Sequence, residues 1–155
     1  MKKLLMIALL MGVLTSNAQE CDYKVNEVDE FTGDVKKYLK FEEVAENELG
    51  RLYISLRYLE GTYMLLGFTG DIGCASSSSK IMIKLEDGTI ITLKNFGDID
   101  CGDNPPMLFD IDEVDKDALY ESPISKIRLY GSDNYTDLEP TNINYFKEKL
   151  PCVEK

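Results

Sequence analysis

Beyond residue 20, apolar and polar side chains alternate with a period of two over most of the chain, and turn-forming residues separate the alternating runs. This pattern predicts antiparallel strands that each bury one face. Tyr23 to Glu30 and Val35 to Phe41 flank Phe31-Thr32-Gly33-Asp34 and read as a hairpin. In its second arm Val35, Leu39 and Phe41 share one face, while Lys36, Tyr38 and Lys40 share the other. Leu52, Ile54 and Leu56 alternate with Tyr53, Ser55 and Arg57. Glu60-Gly61 then turns the chain into Thr62 to Phe68, whose more continuous apolar character predicts burial on both faces.

The stretch from Lys80 to Lys94 permits a sharper reading. A two-residue turn at Asp87-Gly88 would place Ile91 and Leu93 on the face of Lys84 and Glu86. A three-residue loop, Glu86-Asp87-Gly88 with Gly88 left-handed, instead pairs Leu85 with Thr89, Ile83 with Ile91 and Ile81 with Leu93. A slip of one residue moves every side chain to the opposite face, so the hydrophobic pattern selects the three-residue loop. Followed down both arms, that register brings Cys74 and Cys101 nearly opposite each other. The predicted disulfides are therefore Cys74–Cys101 and Cys21–Cys152.

Past Cys101 the alternation weakens. Gly102-Asp103-Asn104-Pro105-Pro106 reads as a loop, and Asp112 to Glu121 as a short helix with Val114, Ala118 and Leu119 inward. Ser125 to Tyr130 reads as a strand, Gly131 to Asn134 as a turn and Tyr135 to Glu139 as the returning strand. Pro140-Thr141 announces a last helix, with Thr141 as its cap, Ile143, Phe146 and Leu150 on one stripe, and Pro151 as its stop. The expected fold is mainly β: an antiparallel β-sandwich or curled β-meander of about 7–9 strands, with a short C-terminal α-helix.

The opening residues add a destination. Lys2 and Lys3, the apolar run Leu4 to Leu14, and Ser16-Asn17-Ala18 have the three parts of a cleaved secretory signal over residues 1–18. The run is too short for the roughly 20 residues a membrane span requires. Gln19 and Glu20, directly before Cys21, are not the small residues that lipid attachment at that cysteine requires. The expected exported chain, 19–155, is a single β-rich domain, secreted or periplasmic. It keeps 15 basic residues against 28 acidic ones, a net charge of −13. Such a field repels phosphate and argues against nucleic-acid binding. Four cysteines in an exported chain point to two disulfides, and with no histidine and no CxxC pair a zinc site lacks its usual ligands.

Candidate chemistry is sparse. Cys74 and Ser76 to Ser79 have no histidine to activate them, so they read as a fastened seam rather than a nucleophile. Asp110, Asp112, Asp115 and Asp117 form a dense acidic run, with Asp98, Asp100 and Asp103 upstream. Oxygen ligands at such spacing suit calcium, although the glycine and terminal glutamate of an EF-hand loop are absent and acids also favour a helix entry. Lys36, Tyr38, Lys40, Tyr53 and Arg57 would form a cationic, tyrosine-bearing patch if their strands are neighbours, suited to stacking on a sugar or gripping an acidic partner. The expectation is an exported non-catalytic binding module for a protein or cell-envelope component. The alternatives are a carrier with an apolar barrel cavity and, less favoured, a hydrolase using carboxylates alone.

Overall fold

The computed structural model describes residues 21–154. The expected signal segment lies outside them. Ten strands occur among the described residues: β1 (Tyr23–Val28), β2 (Val35–Leu39), β3 (Glu42–Asn47), β4 (Gly50–Leu59), β5 (Thr62–Phe68), β6 (Lys80–Leu85), β7 (Ile90–Lys94), β8 (Met107–Ile111), β9 (Ile124–Tyr130) and β10 (Tyr135–Pro140). Helix α1 (Glu113–Glu121) precedes β9, and α2 (Tyr145–Lys149) runs into a 3-10 turn, Leu150–Val153.

All the strands belong to one open sheet, ordered β1-β2-β4-β3-β10-β9-β6-β7, with β5 on the other edge of β4 and β8 beyond β5. Every strand pairing is antiparallel. The long strand β4 takes β3 beside Gly50–Ile54 and β2 beside Arg57–Leu59 on a single edge. Lys40 and Phe41 form the corner between those two partners, which is why Phe41 is exposed rather than inward. The sheet curls until two of its edge strands, β7 and β8, meet at one end. There the Phe96 amide donates to the Leu108 carbonyl at 3.0 Å, and the Leu108 amide donates to Asn95 Oδ1 at 2.8 Å.

One apolar core fills the concave side. Leu52, Ile54 and Leu56 of β4 meet Met64, Leu66 and Phe68 of β5, Ile81 and Ile83 of β6, Phe109 of β8, and Leu129 of β9, all essentially inaccessible. Burying a side chain of this size contributes roughly 1.5–3 kcal/mol relative to leaving it exposed. Strand β5 shows strict alternation rather than burial on both faces: Thr62, Met64, Leu66 and Phe68 are buried, while Tyr63, Leu65 and Gly67 are half-buried. A curled single sheet has only one packed side, so its outer positions remain accessible.

The helices start later than their sequence signals suggest. Asp112 caps α1 by accepting from the Asp115 amide at 2.8 Å, and Leu119 faces the core, but Val114 is 77% exposed. At the C-terminal end α2 begins after Asn144, not after Thr141. Tyr145 therefore takes the inward place expected of Ile143, and its hydroxyl donates to the Ile54 carbonyl at 3.1 Å. Pro151 does not stop the chain's coiling; its fixed φ suits the first turn of the 3-10 segment that carries Cys152 inward.

Both expected disulfides form. Cys21–Cys152 has a Cα separation of 5.7 Å and Cys74–Cys101 one of 4.2 Å. Beside the second bridge, Ala75 and Asp100 exchange backbone hydrogen bonds at 2.8 and 3.0 Å, so the two arms meet again at the foot, one residue out of the hairpin register. In the loop at the tip, the Leu85 amide donates to the Thr89 carbonyl at 2.9 Å and Gly88 sits at φ +92, as the three-residue loop requires. The two bridges are consistent with an oxidising environment, and no described helix is long and apolar enough to cross a membrane.

Candidate functional site

The serine run is structural. Ser79 is fully buried; its hydroxyl accepts from the Ser76 amide at 3.0 Å and donates to the Cys74 carbonyl at 3.4 Å. The acidic run is dispersed. Asp110 lies on the outer face of β8, Asp112 is a helix cap, Asp115 lies in the first turn of α1, and Asp117 is exposed on that helix. Burial, and then Asp112, push the Asp115 carboxyl above its ordinary pKa. Asp100 accepts from the Gly102 amide, and Asp98 and Asp103 are exposed. Among the described residues no three His, Cys, Asp or Glu side chains gather as a metal site.

The cationic, tyrosine-bearing patch read from the sequence divides in two. β2 and β4 are neighbours, and Tyr38 stands opposite Arg57, whose guanidinium carbon lies 5.0 Å from the ring centre. Lys36 pairs across with Leu59 on the same strands. Lys40 is drawn to Asp22 at 2.7 Å. Tyr53 faces Glu43 and donates to its carboxylate at 3.4 Å, four residues along β4 from Arg57, or roughly 13 Å. The row through Arg57 extends the other way, to Tyr63 on β5 and Asp110 on β8. Burial lowers the Arg57 pKa against the effect of Tyr38, and its Nε has no acceptor.

A larger cationic surface, not anticipated from the sequence, covers the outer side of β7, β6, β9 and β10. The inward residues Ile81, Ile83, Ile91, Leu93, Ile127, Leu129, Thr136 and Leu138 are buried, so the alternate positions face out together. Those positions hold five cations, Lys80, Lys84, Lys94, Lys126 and Arg128, and two carboxylates, Asp137 and Glu139. Register places Lys80 directly opposite Lys94, and Lys84 directly opposite Lys126. Like charges paired in this way destabilise a sheet. On a chain with 28 acidic residues this is a cost; Lys126 offsets part of it through Asp137 at 3.5 Å and Glu139 at 3.9 Å, while Lys84 and Lys94 have no ion pair among the described residues.

Aromatic rings hold two of these cations in place. Lys80 Nζ lies 4.5 Å from the Tyr130 ring centre and the Arg128 guanidinium 4.6 Å from that of Tyr135, and the two rings are 5.3 Å apart. Arg128 also grips Asp137 through two parallel bonds, with Nη2 to Oδ2 at 2.8 Å. Arg128, and then Lys126, hold the Asp137 carboxyl down at a pKa of about 2. A shallow groove of about 200 Å³ runs between Met82, Ile90, Lys84, Lys126 and the Arg128–Asp137 pair. Ile90, at its edge, is 55% exposed. The arrangement has an apolar centre with three cations and one carboxylate around it, and contains no paired nucleophile and base. Such a surface is chemically suited to an anion that also carries apolar surface.

Comparison with known proteins gives no match to any family model, curated protein or solved structure.

Proposed function

We propose that this protein is an exported, non-catalytic binding module that engages an acidic partner through the outer face of β7, β6, β9 and β10. The observation that carries the reading is the pair of lysine–lysine juxtapositions, Lys80 with Lys94 and Lys84 with Lys126, on a strongly acidic chain. A bound carboxylate-bearing partner would neutralise that repulsion, and the groove of Met82 and Ile90 supplies apolar contact. Export is supported by the charged and apolar opening of the sequence and by the two disulfides.

The test uses poly-aspartate as probe, with binding followed by fluorescence anisotropy at low and moderate salt. Affinity is expected to fall as salt rises and to drop by about tenfold or more in a Lys84→Glu/Lys94→Glu variant, equivalent to about 1.4 kcal/mol. Binding that persists in the variant, or no binding by the wild type, overturns the reading.

A further inference from the structure

We infer that the free edge of β7, where it parts from β8, is a docking edge for an extended acidic polypeptide segment that adds as a further strand beside Ile90–Lys94. The inference rests on the reading above for the sign of the partner's charge and adds its form.

The hydrogen-bond register of the hairpin fixes which backbone groups are free. The Leu85 amide donates to the Thr89 carbonyl and the Asn95 amide to the Ser79 carbonyl, at 2.9 Å each. Antiparallel strands alternate between residues that bond their partner and residues that point away. Ile91 and Leu93 accordingly bond β6, while Ile90, Thr92 and Lys94 direct their amides and carbonyls outward. Phe96, next in that series, does the same and meets the Leu108 carbonyl at 3.0 Å. That contact joins β7 to β8 at one end. Beyond it the strands diverge, and a cleft of about 510 Å³ opens between them, lined by Tyr63, Thr92, Lys94, Phe96 and Asp110. Across this gap β7 has no strand partner among the described residues.

An unpaired edge of this kind is a template for strand addition. The charges select the occupant. A second copy docking β7 against β7 would bring the Lys80 and Lys94 clusters of both copies together, so self-pairing is disfavoured. An acidic segment meets the opposite situation. In a strand added here, alternate side chains would continue the core layer of Ile91 and Leu93, and the others would lie with Thr92 and Lys94 on the cationic face. The fitting sequence alternates apolar and acidic residues.

The test uses the full protein, isotope-labelled, and a blocked decapeptide of alternating glutamate and valine. A second peptide of the same sequence carries N-methyl groups on alternate backbone nitrogens, and poly-aspartate serves as a strandless anion. The glutamate–valine peptide is expected to slow amide exchange at Ile90, Thr92 and Lys94 by about tenfold or more, and N-methylation to abolish the effect. Thr92→Pro removes an outward amide that the fold does not use, so the variant should keep the wild-type melting profile yet lose the peptide. Equal binding of both peptides, with those three amides unprotected, overturns strand addition and leaves the cationic face standing. Failure of every anionic probe, poly-aspartate included, overturns both.

Discussion

Arg128 and Asp137 stand opposite each other on β9 and β10 and close a two-point ion pair on the outer face of the sheet. Because the folded pKa of Asp137 is lowered from 3.8 to about 2, its contribution to stability is complete above the ordinary carboxylate range. It is lost as pH falls through the folded value. In Asp137→Asn the stability deficit relative to wild type should therefore be largest near neutrality and shrink between pH 4 and 2. Parallel thermal melts across that range check it.

Lys84→Glu separates stability from recognition. Replacing the like-charged pair with Lys126 by an opposite-charged one should stabilise the sheet by roughly 0.2–1 kcal/mol. The same change should weaken capture of an acidic probe. Urea unfolding and anisotropy on one preparation measure both effects; a variant that is less stable and binds equally well would contradict the role given to this pair.

The two bridges should differ in value. Cys21–Cys152 spans 131 residues and Cys74–Cys101 spans 27. By loop-closure entropy their removal costs about 5 and about 3.5 kcal/mol respectively. Cys21→Ser/Cys152→Ser should accordingly unfold at lower denaturant than Cys74→Ser/Cys101→Ser.

Two glycines give a steric contrast. A Cβ on Gly131 would lie 2.0 Å from the Ile72 carbonyl oxygen, where backbone meets backbone and nothing can swing away, whereas a Cβ on Gly67 meets nothing within 4 Å. Gly131→Ala should cost about 3 kcal/mol. Gly67→Ala should be neutral or stabilise by about 0.5 kcal/mol, because it restricts the unfolded chain. Denaturant midpoints of the two variants test the difference.

The local part of the fold was legible in the sequence. Glu86-Asp87-Gly88 and the alternation around it contain the loop length, the register and, to within one residue, the position of Cys74 against Cys101. Strands β3 and β8 were not legible as separate elements. Glu42–Asn47 carries more charge than apolar alternation, and Met107–Ile111 is a short strand held by Leu65 and Leu66, about forty residues away. Val114, Ile143 and Phe41 were expected to face inward on periodicity alone; corner and cap geometry turned them out. The cationic face was hidden for a related reason. Lys80, Met82 and Lys84 already alternate with Ile81 and Ile83, and Lys126 and Arg128 with Ile127 and Leu129. The signal was present in each strand, but the β6–β9 pairing that joins them is non-local and leaves no local mark.

The Cys21–Cys152 bridge, reinforced by the hydrogen bond from Tyr23 Oη to the Cys152 carbonyl at 2.8 Å, has a mechanical consequence. Tension applied from residue 21 to residue 152 passes through a covalent link and leaves the ladder of β-strands slack. The body can be tethered at either end, or tugged between both, without being unzipped. A reducing agent would act as a release, handing the load at once to β1, an edge strand that, among the described residues, pairs only with β2.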